Sequence, residues 1–174
     1  VKLHSLTIVE GWTVQDLMRA IRTNPAIRQT LDGANGEALA RSLELPARKP
    51  EGWFFPDTYR FTEGSTPETI AQKMEEQFYK KSPTNDRRTV IIASILEKEA
   101  KTAEDMALVA GIIKKTIQKN MPLQIDATVA YGACLRDFIV NRLPFCDVTQ
   151  VAIRDEIKVP NELYNTYMIL ELPR

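Results

Sequence analysis

The chain has 174 residues, of which 44% are hydrophobic, 23 are Lys or Arg and 23 are Asp or Glu. This length fits one domain or two small ones with a buried core, and the balanced charge gives no compositional case for binding nucleic acid or an acidic membrane surface. No stretch approaches the ~20 apolar residues that span a bilayer, and a single His with two Cys forms no zinc motif, so no metal and no cofactor are predicted.

The first part of the chain predicts a small strand-and-helix unit of residues 1–48. We expect a strand from Leu3 to Glu10, and Thr13 begins a helix through a capping-box pattern. Two short helical pieces are predicted around Ile27 to Leu31 and around Gly36 to Leu43, before prolines mark a linker. Because this unit is too small to form a stable hydrophobic core of its own, we expect it to pack on the next part of the chain.

An aromatic segment runs from Glu51 to Phe61, in which five of eleven residues carry aromatic rings. Aromatic rings stack on sugars and carboxylates accept hydrogen bonds from sugar hydroxyls, so the segment is typical of a carbohydrate surface. The competing interpretation is an extended segment that forms core, and the residue pattern alone favours it. Thr66 and Pro67 then begin a helix with a capping side chain and Pro at the first position.

An apolar run from Ile91 to Ala100 predicts a helix packed on several sides, which carries a carboxylate into surroundings poor in water. Glu97 and Glu99 are about 200° apart around such a helix, so only one of them faces a given cleft. Glu97 is favoured because the small residues Ala93 and Ser94, one turn earlier, leave room for a ligand. Apolar walls raise the pKa of a carboxyl group and suit it to general acid catalysis. The competing interpretation is two solvated glutamates at a helix end.

The last part of the chain predicts further helices and a strand. Apolar spacing from Met106 to Ile117 indicates a helix, and Asp126 is predicted to be the N-cap of a short one. A strand is predicted from Leu163 to Leu170. Cys134 and Cys146 leave two interpretations open, a disulfide in an oxidising compartment or two buried thiols.

Four motifs stand in a fixed order along the chain. They are Glu51-Gly52-Trp53-Phe54-Phe55-Pro56-Asp57-Thr58-Tyr59, Ala93-Ser94-Ile95-Leu96-Glu97-Lys98-Glu99, Leu123-Gln124-Ile125-Asp126-Ala127-Thr128-Val129-Ala130-Tyr131-Gly132 and Tyr164-Asn165-Thr166-Tyr167. In this order they resemble the endolytic murein transglycosylases, the MltG/YceG-like family. The resemblance is strong from Glu51 to Pro173. The preceding residues resemble the family's small LysM-like subdomain, mostly through Val9-Glu10-Gly11-Trp12-Thr13-Val14.

The resemblance implies an α+β fold in two parts. A LysM-like strand/helix subdomain, truncated at its start, is expected in residues 1–48, and a mainly helical catalytic domain with a small antiparallel sheet, truncated at its end, in residues 49–174. The family's Asp-Pro-Thr is Asp126-Ala127-Thr128 here, and its Gly-Leu-Pro-Pro is Glu171-Leu172-Pro173-Arg174. We therefore expect a fragment of a bacterial cell-envelope protein, periplasmic or extracytoplasmic, with an inner-membrane anchor ahead of Val1.

The activity implied is lytic cleavage of the β-1,4 bond between N-acetylmuramic acid and N-acetylglucosamine within nascent peptidoglycan, which leaves 1,6-anhydro ends. The first glutamate of the family's Glu-Lys-Glu motif is catalytic, and it corresponds to Glu97. One glutamate suffices as acid and then base because the sugar's own C6 hydroxyl is the nucleophile. The other predicted site residues would hold the sugars or support the acid: Glu51, Phe55, Asp57, Tyr59, Ser94, Glu99, Gln124, Asp126, Thr128, Tyr131, Asn165 and Tyr167.

Two other function classes stay open. A muramidase-type hydrolase would need a second carboxylate facing Glu97, with Glu51 or Asp126 as the candidates. A non-catalytic peptidoglycan-binding or divisome scaffold would keep the aromatic segment and tolerate loss of Glu97. The expected partners are glycan strands of peptidoglycan and, as the resemblance implies, peptidoglycan synthases (penicillin-binding proteins). No binding of nucleic acid is expected, and contact with a membrane is expected only through the anchor.

Overall fold

A computed structural model describes residues 2–30, 39, 50–140 and 146–173. The chain divides into two compact units, Val1–Asn85 and Asp86–Arg174. The described residues are mostly helical and include a two-stranded antiparallel sheet, which confirms the mixed fold class at that level. The compact units divide later than the predicted boundary after residue 48, because a strand near the start of the chain pairs with one beyond that boundary. The boundary of a LysM-like subdomain stays a prediction.

The sheet of the first unit joins strand β1 (Leu3–Thr7) to strand β2 (Thr58–Thr62). The two strands run antiparallel, with Leu3 opposite Thr62 and Thr7 opposite Thr58. Because side chains alternate between the faces of a strand, one face of the pair is buried and the other is solvated. The aromatic segment supplies the buried face, as the core-forming interpretation expected.

Two capped helices cover that face within the first unit. Helix α1 (Val14–Thr23) begins at the predicted capping box, in which Thr13 and Asp16 exchange hydrogen bonds. Helix α2 (Pro67–Lys81) begins after Thr66, whose hydroxyl accepts from the Thr69 amide. The inner faces of the two helices pack with the sheet to form a core. Its buried residues are Leu6, Ile8, Leu17, Ile21, Ala26, Ile27, Tyr59, Phe61, Ile70 and Met74.

Three longer helices lie in the described part of the second unit. They are α3 (Arg87–Glu99), α4 (Ala103–Gln118) and α5 (Asp126–Ile139). A 3₁₀ turn at Val148–Gln150 and the short helix α6 (Ile153–Glu156) come after them in the chain. Their shared core is aliphatic and consists of Ile95, Ile113, Ile125 and Leu172, with Ile91, Ile92, Leu96, Val109, Ile117, Leu123 and Ala127 packed around it.

Two local predictions are wrong, and a third concerns residues that lie mostly outside the described part of the chain. Residues 27–30 are not helical, because Ile27 forms a parallel bridge to Ser65 and Arg28 donates to the Ser65 carbonyl. Residues 163–170 form consecutive turns instead of a strand. The helix predicted from Gly36 to Leu43 lies outside the described residues, apart from Leu39, which is helical and buried.

A disulfide joins Cys134, on α5, to Cys146, with 5.3 Å between their Cα atoms and a sequence separation of 12. This decides between the two interpretations that the sequence left open. The bond ties α5 to the segment that leads into the 3₁₀ turn. Disulfides form and persist in oxidising compartments.

Candidate functional site

Helix α3 carries Glu97 on its exposed side. Ile95 is only 4% exposed, and it shares one buried stripe with the partly buried Ile91 and Ile92. Ala93, Ser94, Glu97 and Glu99 are all exposed. The prediction of a carboxylate sheltered from water is therefore wrong in this structure, because the apolar residues of the run lie on one stripe and do not encircle the helix. Ser94 donates from Oγ to the Ile91 carbonyl at 2.8 Å, so its hydroxyl is engaged by its own helix.

The segment that leads into α5 is fastened to the turns near the end of the chain. The Gln124 amide donates to the Thr166 carbonyl at 2.9 Å, and the Ile125 amide donates to Thr166 Oγ1 at 2.9 Å. Thr166 is fully buried. Residues 124–126 and 165–167, which are far apart in the chain, therefore form one platform.

Asp126 is part of this platform and is not the N-cap of α5. Ile125 occupies the cap position, and no side chain caps the helix there. The Asp126 carboxylate instead accepts a hydrogen bond from Tyr167 Oη at 2.6 Å. That bond raises the pKa of Tyr167, as do burial and the negative charges of Asp126 and Glu99. Glu99, at the end of α3, therefore lies close enough for its charge to act on Tyr167.

The buried side chains of Thr128 and Asn165 stabilise the platform through hydrogen bonds. Thr128 is buried; its hydroxyl donates to the Ile125 carbonyl at 2.7 Å and lies 2.8 Å from Thr166 Oγ1. The Asn165 side chain, 2% exposed, donates to the carbonyls of Ile157 and Val159 and accepts from the Tyr167 amide at 3.1 Å. These buried polar groups are satisfied by hydrogen bonds within the chain, which fixes the turn rigidly.

Tyr131 and Tyr164 form an edge-to-face aromatic pair with ring centroids 5.2 Å apart. Tyr164 lies close against α5 because Gly132 carries no side chain at the point of contact. A Cβ at that position would lie 2.6 Å from Tyr164 Cβ and 2.9 Å from Asn161 Nδ2. Tyr131 is half-buried, so it supports the turn more than it presents a surface for sugars.

The four predicted site residues of the first unit make contacts within that unit. Glu51 Oε1 accepts from the Val14 amide at 3.0 Å, at the start of α1. The half-buried Phe55 ring lies under the ammonium group of Lys81, 5.3 Å from the ring centroid. Tyr59 is buried and donates to the Phe55 carbonyl, and its pKa is raised by burial and then by the charge of Asp57.

Asp57 clamps the start of β2 to α2. Its carboxylate accepts from the Thr58 amide at 2.7 Å, from Gln77 Nε2 at 2.9 Å and from Lys81 Nζ at 3.3 Å. These bonds, that from Thr58 first, lower the pKa of Asp57. The carboxylate therefore makes structural contacts, and its role in holding sugars or supporting the acid stays a prediction.

The model of the YceG-like family matches residues 1–174. The chain belongs to the YceG-like family. An endolytic murein transglycosylase of Bacillus subtilis (strain 168) is 33% identical over 113 residues, 59% of this chain and 31% of the relative. The one of Streptococcus pneumoniae (strain R6) is 32% identical over 92 residues, 47% of this chain and 17% of the relative. The matched segments thus span less than a third of these relatives.

A crystal structure of a YceG-like protein from Listeria monocytogenes shares the fold. Its TM-score is 0.65 at 22% identity, and the match covers 97% of this chain and 60% of that one. The mixed, mostly helical architecture described above is therefore that of the family.

Among the residues described for this YceG-like chain, no three or more His, Cys, Asp or Glu side chains come together in a group that could hold a metal ion. Likewise, no helix in that part of the chain combines the length and apolar character needed to cross a membrane. The polar groups of the candidate site are carboxylates, amides and hydroxyls.

Thr166 is the site residue that the sequence pattern did not single out. It lies inside the Tyr164-Asn165-Thr166-Tyr167 motif, between an Asn and a Tyr whose larger polar side chains are the more obvious ligands for sugars. The sequence did contain a signal, because a threonine hydroxyl can bond to backbone groups, and Thr166 lies directly between two predicted site residues.

We expect the free energy of unfolding of this YceG-like chain to fall less steeply at acid pH when Asp57 is replaced by Asn. Because the pKa of Asp57 in the folded state lies below its usual 3.8, the ionised carboxylate stabilises the fold above that pH, and the contribution is lost as pH falls through the lower folded value. Urea unfolding of both proteins at a series of pH values on both sides of 3.8 would measure it. Parallel curves for parent and variant would contradict the clamp.

Proposed function

We propose that this chain carries the catalytic site of a lytic transglycosylase acting on peptidoglycan, with Glu97 as the single acid and base. The observation that carries the proposal is that α3 presents Glu97 on its exposed side, in the same compact unit as the platform of residues 124–126 and 165–167. The family supports it as well, because two of its curated relatives are named endolytic murein transglycosylases.

In the proposed reaction Glu97 donates its proton to the glycosidic oxygen between N-acetylmuramic acid and N-acetylglucosamine. The bond from C1 to that oxygen breaks while the C6 hydroxyl of the same muramic acid bonds to C1. The hydroxyl proton then passes to the Glu97 carboxylate, which restores the acid. Water is not consumed, so one carboxylate serves where a hydrolase needs two.

The exposure of Glu97 suits a polymeric substrate that lies across an open surface. In the proposed complex the sugar rings displace water from α3, and removal of water strengthens electrostatic interactions at the acid. Gln124, Asp126 and Tyr167 provide the amide, carboxylate and hydroxyl groups that bind sugar hydroxyl and acetamido groups.

The cellular setting proposed is the bacterial envelope, outside the inner membrane, where peptidoglycan is found. The Cys134–Cys146 disulfide supports an oxidising compartment. A LysM-like subdomain in residues 1–48, an anchor in the full-length protein and peptidoglycan synthases as partners belong to the same proposal and are supported by the family resemblance.

The test is the chemistry of the cut ends. Purified chain incubated with intact peptidoglycan should release fragments that end in 1,6-anhydro-muramic acid, which mass spectrometry separates from reducing ends because the two differ by one water. Reducing ends would show a muramidase-type hydrolase. Retention of the chain on peptidoglycan without either product would show a binding scaffold, and both results would overturn the proposal.

A further inference from the structure

Gln124 holds a backbone conformation that its residue type disfavours. Its φ is +54°, in the left-handed region where a Cβ crowds the following carbonyl and glycine is the usual occupant. Such residues persist where the surrounding structure fixes them, and they cluster at functional sites. The side chain of Gln124 is exposed, so packing of the side chain does not account for the conformation.

Thr166 accounts for it. Its carbonyl accepts from the Gln124 amide at 2.9 Å, and its Oγ1 accepts from the Ile125 amide at 2.9 Å. The same hydroxyl lies 2.8 Å from Thr128 Oγ1 and is buried, so it has no alternative partner in water. Thr166 thus binds the backbone amides of both Gln124 and Ile125. These two bonds fix the backbone of residue 124 at its start and at its end.

The next residue continues the pairing. Tyr167 Oη donates to the Asp126 carboxylate at 2.6 Å, so residues 124, 125 and 126 are each fastened to residue 166 or 167. Gln124 and Asp126 are both exposed, and Gln124 is the one whose own amide and following amide are both bonded to Thr166. The side-chain amide of Gln124 offers both a donor and an acceptor, the pair that an acetamido group of an amino sugar matches.

We propose that Thr166 is a positioning residue that acts through Gln124, the residue of the proposed site that binds the acetamido or hydroxyl groups of the glycan. This inference rests on the proposed function for the identity of the glycan. Fixing the backbone of residue 124 before the sugar arrives fixes the direction in which its side chain leaves the chain, and this lowers the ordering cost of binding.

The inference predicts a matched set of variants measured by affinity. Calorimetric titration with a soluble tetrasaccharide of alternating N-acetylglucosamine and N-acetylmuramic acid, in the Glu97→Gln background to prevent turnover, gives the dissociation constant. Gln124→Ala and Gln124→Gly should each weaken binding about tenfold, the value of a lost hydrogen bond to a ligand. The Gly variant should melt a few degrees above the Ala variant, because only Ala retains the strained Cβ.

Asn120 provides the control, because its φ is also +54°. Asn120→Gly and Asn120→Ala should differ in melting temperature in the same direction, while the affinity for the tetrasaccharide is unchanged. Loss of affinity in the Asn120 variants as large as that in the Gln124 variants would overturn the inference.

Thr166 is tested by coupling to Gln124. Thr166→Val keeps the shape and removes the hydroxyl, and it should weaken binding severalfold, whereas Thr166→Ser should restore most of the affinity. In the Gln124→Ala background Thr166→Val should weaken binding less than about twofold further, since the residue through which it acts is gone. Equal losses in both backgrounds would show a purely structural Thr166 and overturn its positioning role.

The outcomes separate this inference from the proposed function. If the parent chain releases anhydro ends but Gln124→Ala binds the tetrasaccharide normally, only the inference fails. If Gln124→Ala weakens binding but the parent chain releases no anhydro ends, only the proposed function fails. A parent chain that neither cuts peptidoglycan nor binds the tetrasaccharide would overturn both.

Discussion

Replacement of Glu97 by Gln should lower the rate of anhydro-end release by about 10²- to 10⁴-fold, the usual contribution of a general acid. Glutamine keeps the size and polarity of the side chain but has no acidic proton to transfer and cannot accept one as a carboxylate does. Since Glu97 is exposed, the substitution should leave the melting temperature nearly unchanged. The rate is measured by quantifying anhydro-ended fragments released from peptidoglycan.

Glu99→Gln is the matched control, because Glu99 lies two positions along the same helix, about 200° around its axis. This substitution removes a negative charge that raises the pKa of Tyr167, so that pKa should fall while most of the activity remains. If Glu99→Gln showed the larger loss and Glu97→Gln retained the parent rate, Glu99 would be the acid and the assignment to Glu97 would be wrong.

Replacement of Gly132 by Ala should destabilise the second unit by roughly 2–3 kcal/mol, the upper part of the range for an overpacked core. The new Cβ would lie 2.6 Å from Tyr164 Cβ, an atom fixed directly to the backbone of a buried residue that cannot rotate away. We expect the melting temperature to fall by roughly 10 °C or more. Because Tyr164 leads into the 165–167 turn, tetrasaccharide binding should weaken as well.

Gly111→Ala is the control for this prediction. Gly111 is also in a helix interior, but a Cβ there would meet nothing within 4 Å. Alanine is the better helix former, so the variant should gain roughly 0.5–1 kcal/mol of stability. Thermal unfolding followed by circular dichroism measures both variants, and equal shifts would contradict the close contact with Tyr164.

The sequence by itself determined the features that depend on local chemistry. The capping pattern at Thr13 and the Thr66-Pro67 start correctly predicted two helix beginnings, because a cap is satisfied within one turn of chain. The apolar run around Ile91 to Ala100 likewise predicted α3. The ordered motifs indicated the family that the chain was then found to match.

Only the tertiary structure decided which groups serve the fold and which stay exposed. Asp57 and Glu51 looked like sugar ligands, yet each accepts hydrogen bonds from backbone or side-chain donors that the sequence does not place nearby. Asp126 looked like a helix cap, but its carboxylate accepts from Tyr167, which is 41 positions away. Partners at such separations depend on how distant segments meet, and no local pattern records that.

The exposure of Glu97 and the role of Thr166 have the same physical reason. An apolar run predicts that a helix has a buried stripe, but the packing of α3 decides which side stays open. The Thr166 hydroxyl became important because folding brought it against the amide of Ile125 and the hydroxyl of Thr128. The sequence indicated the glutamate, and the tertiary structure showed the platform of residues 124–126 and 165–167.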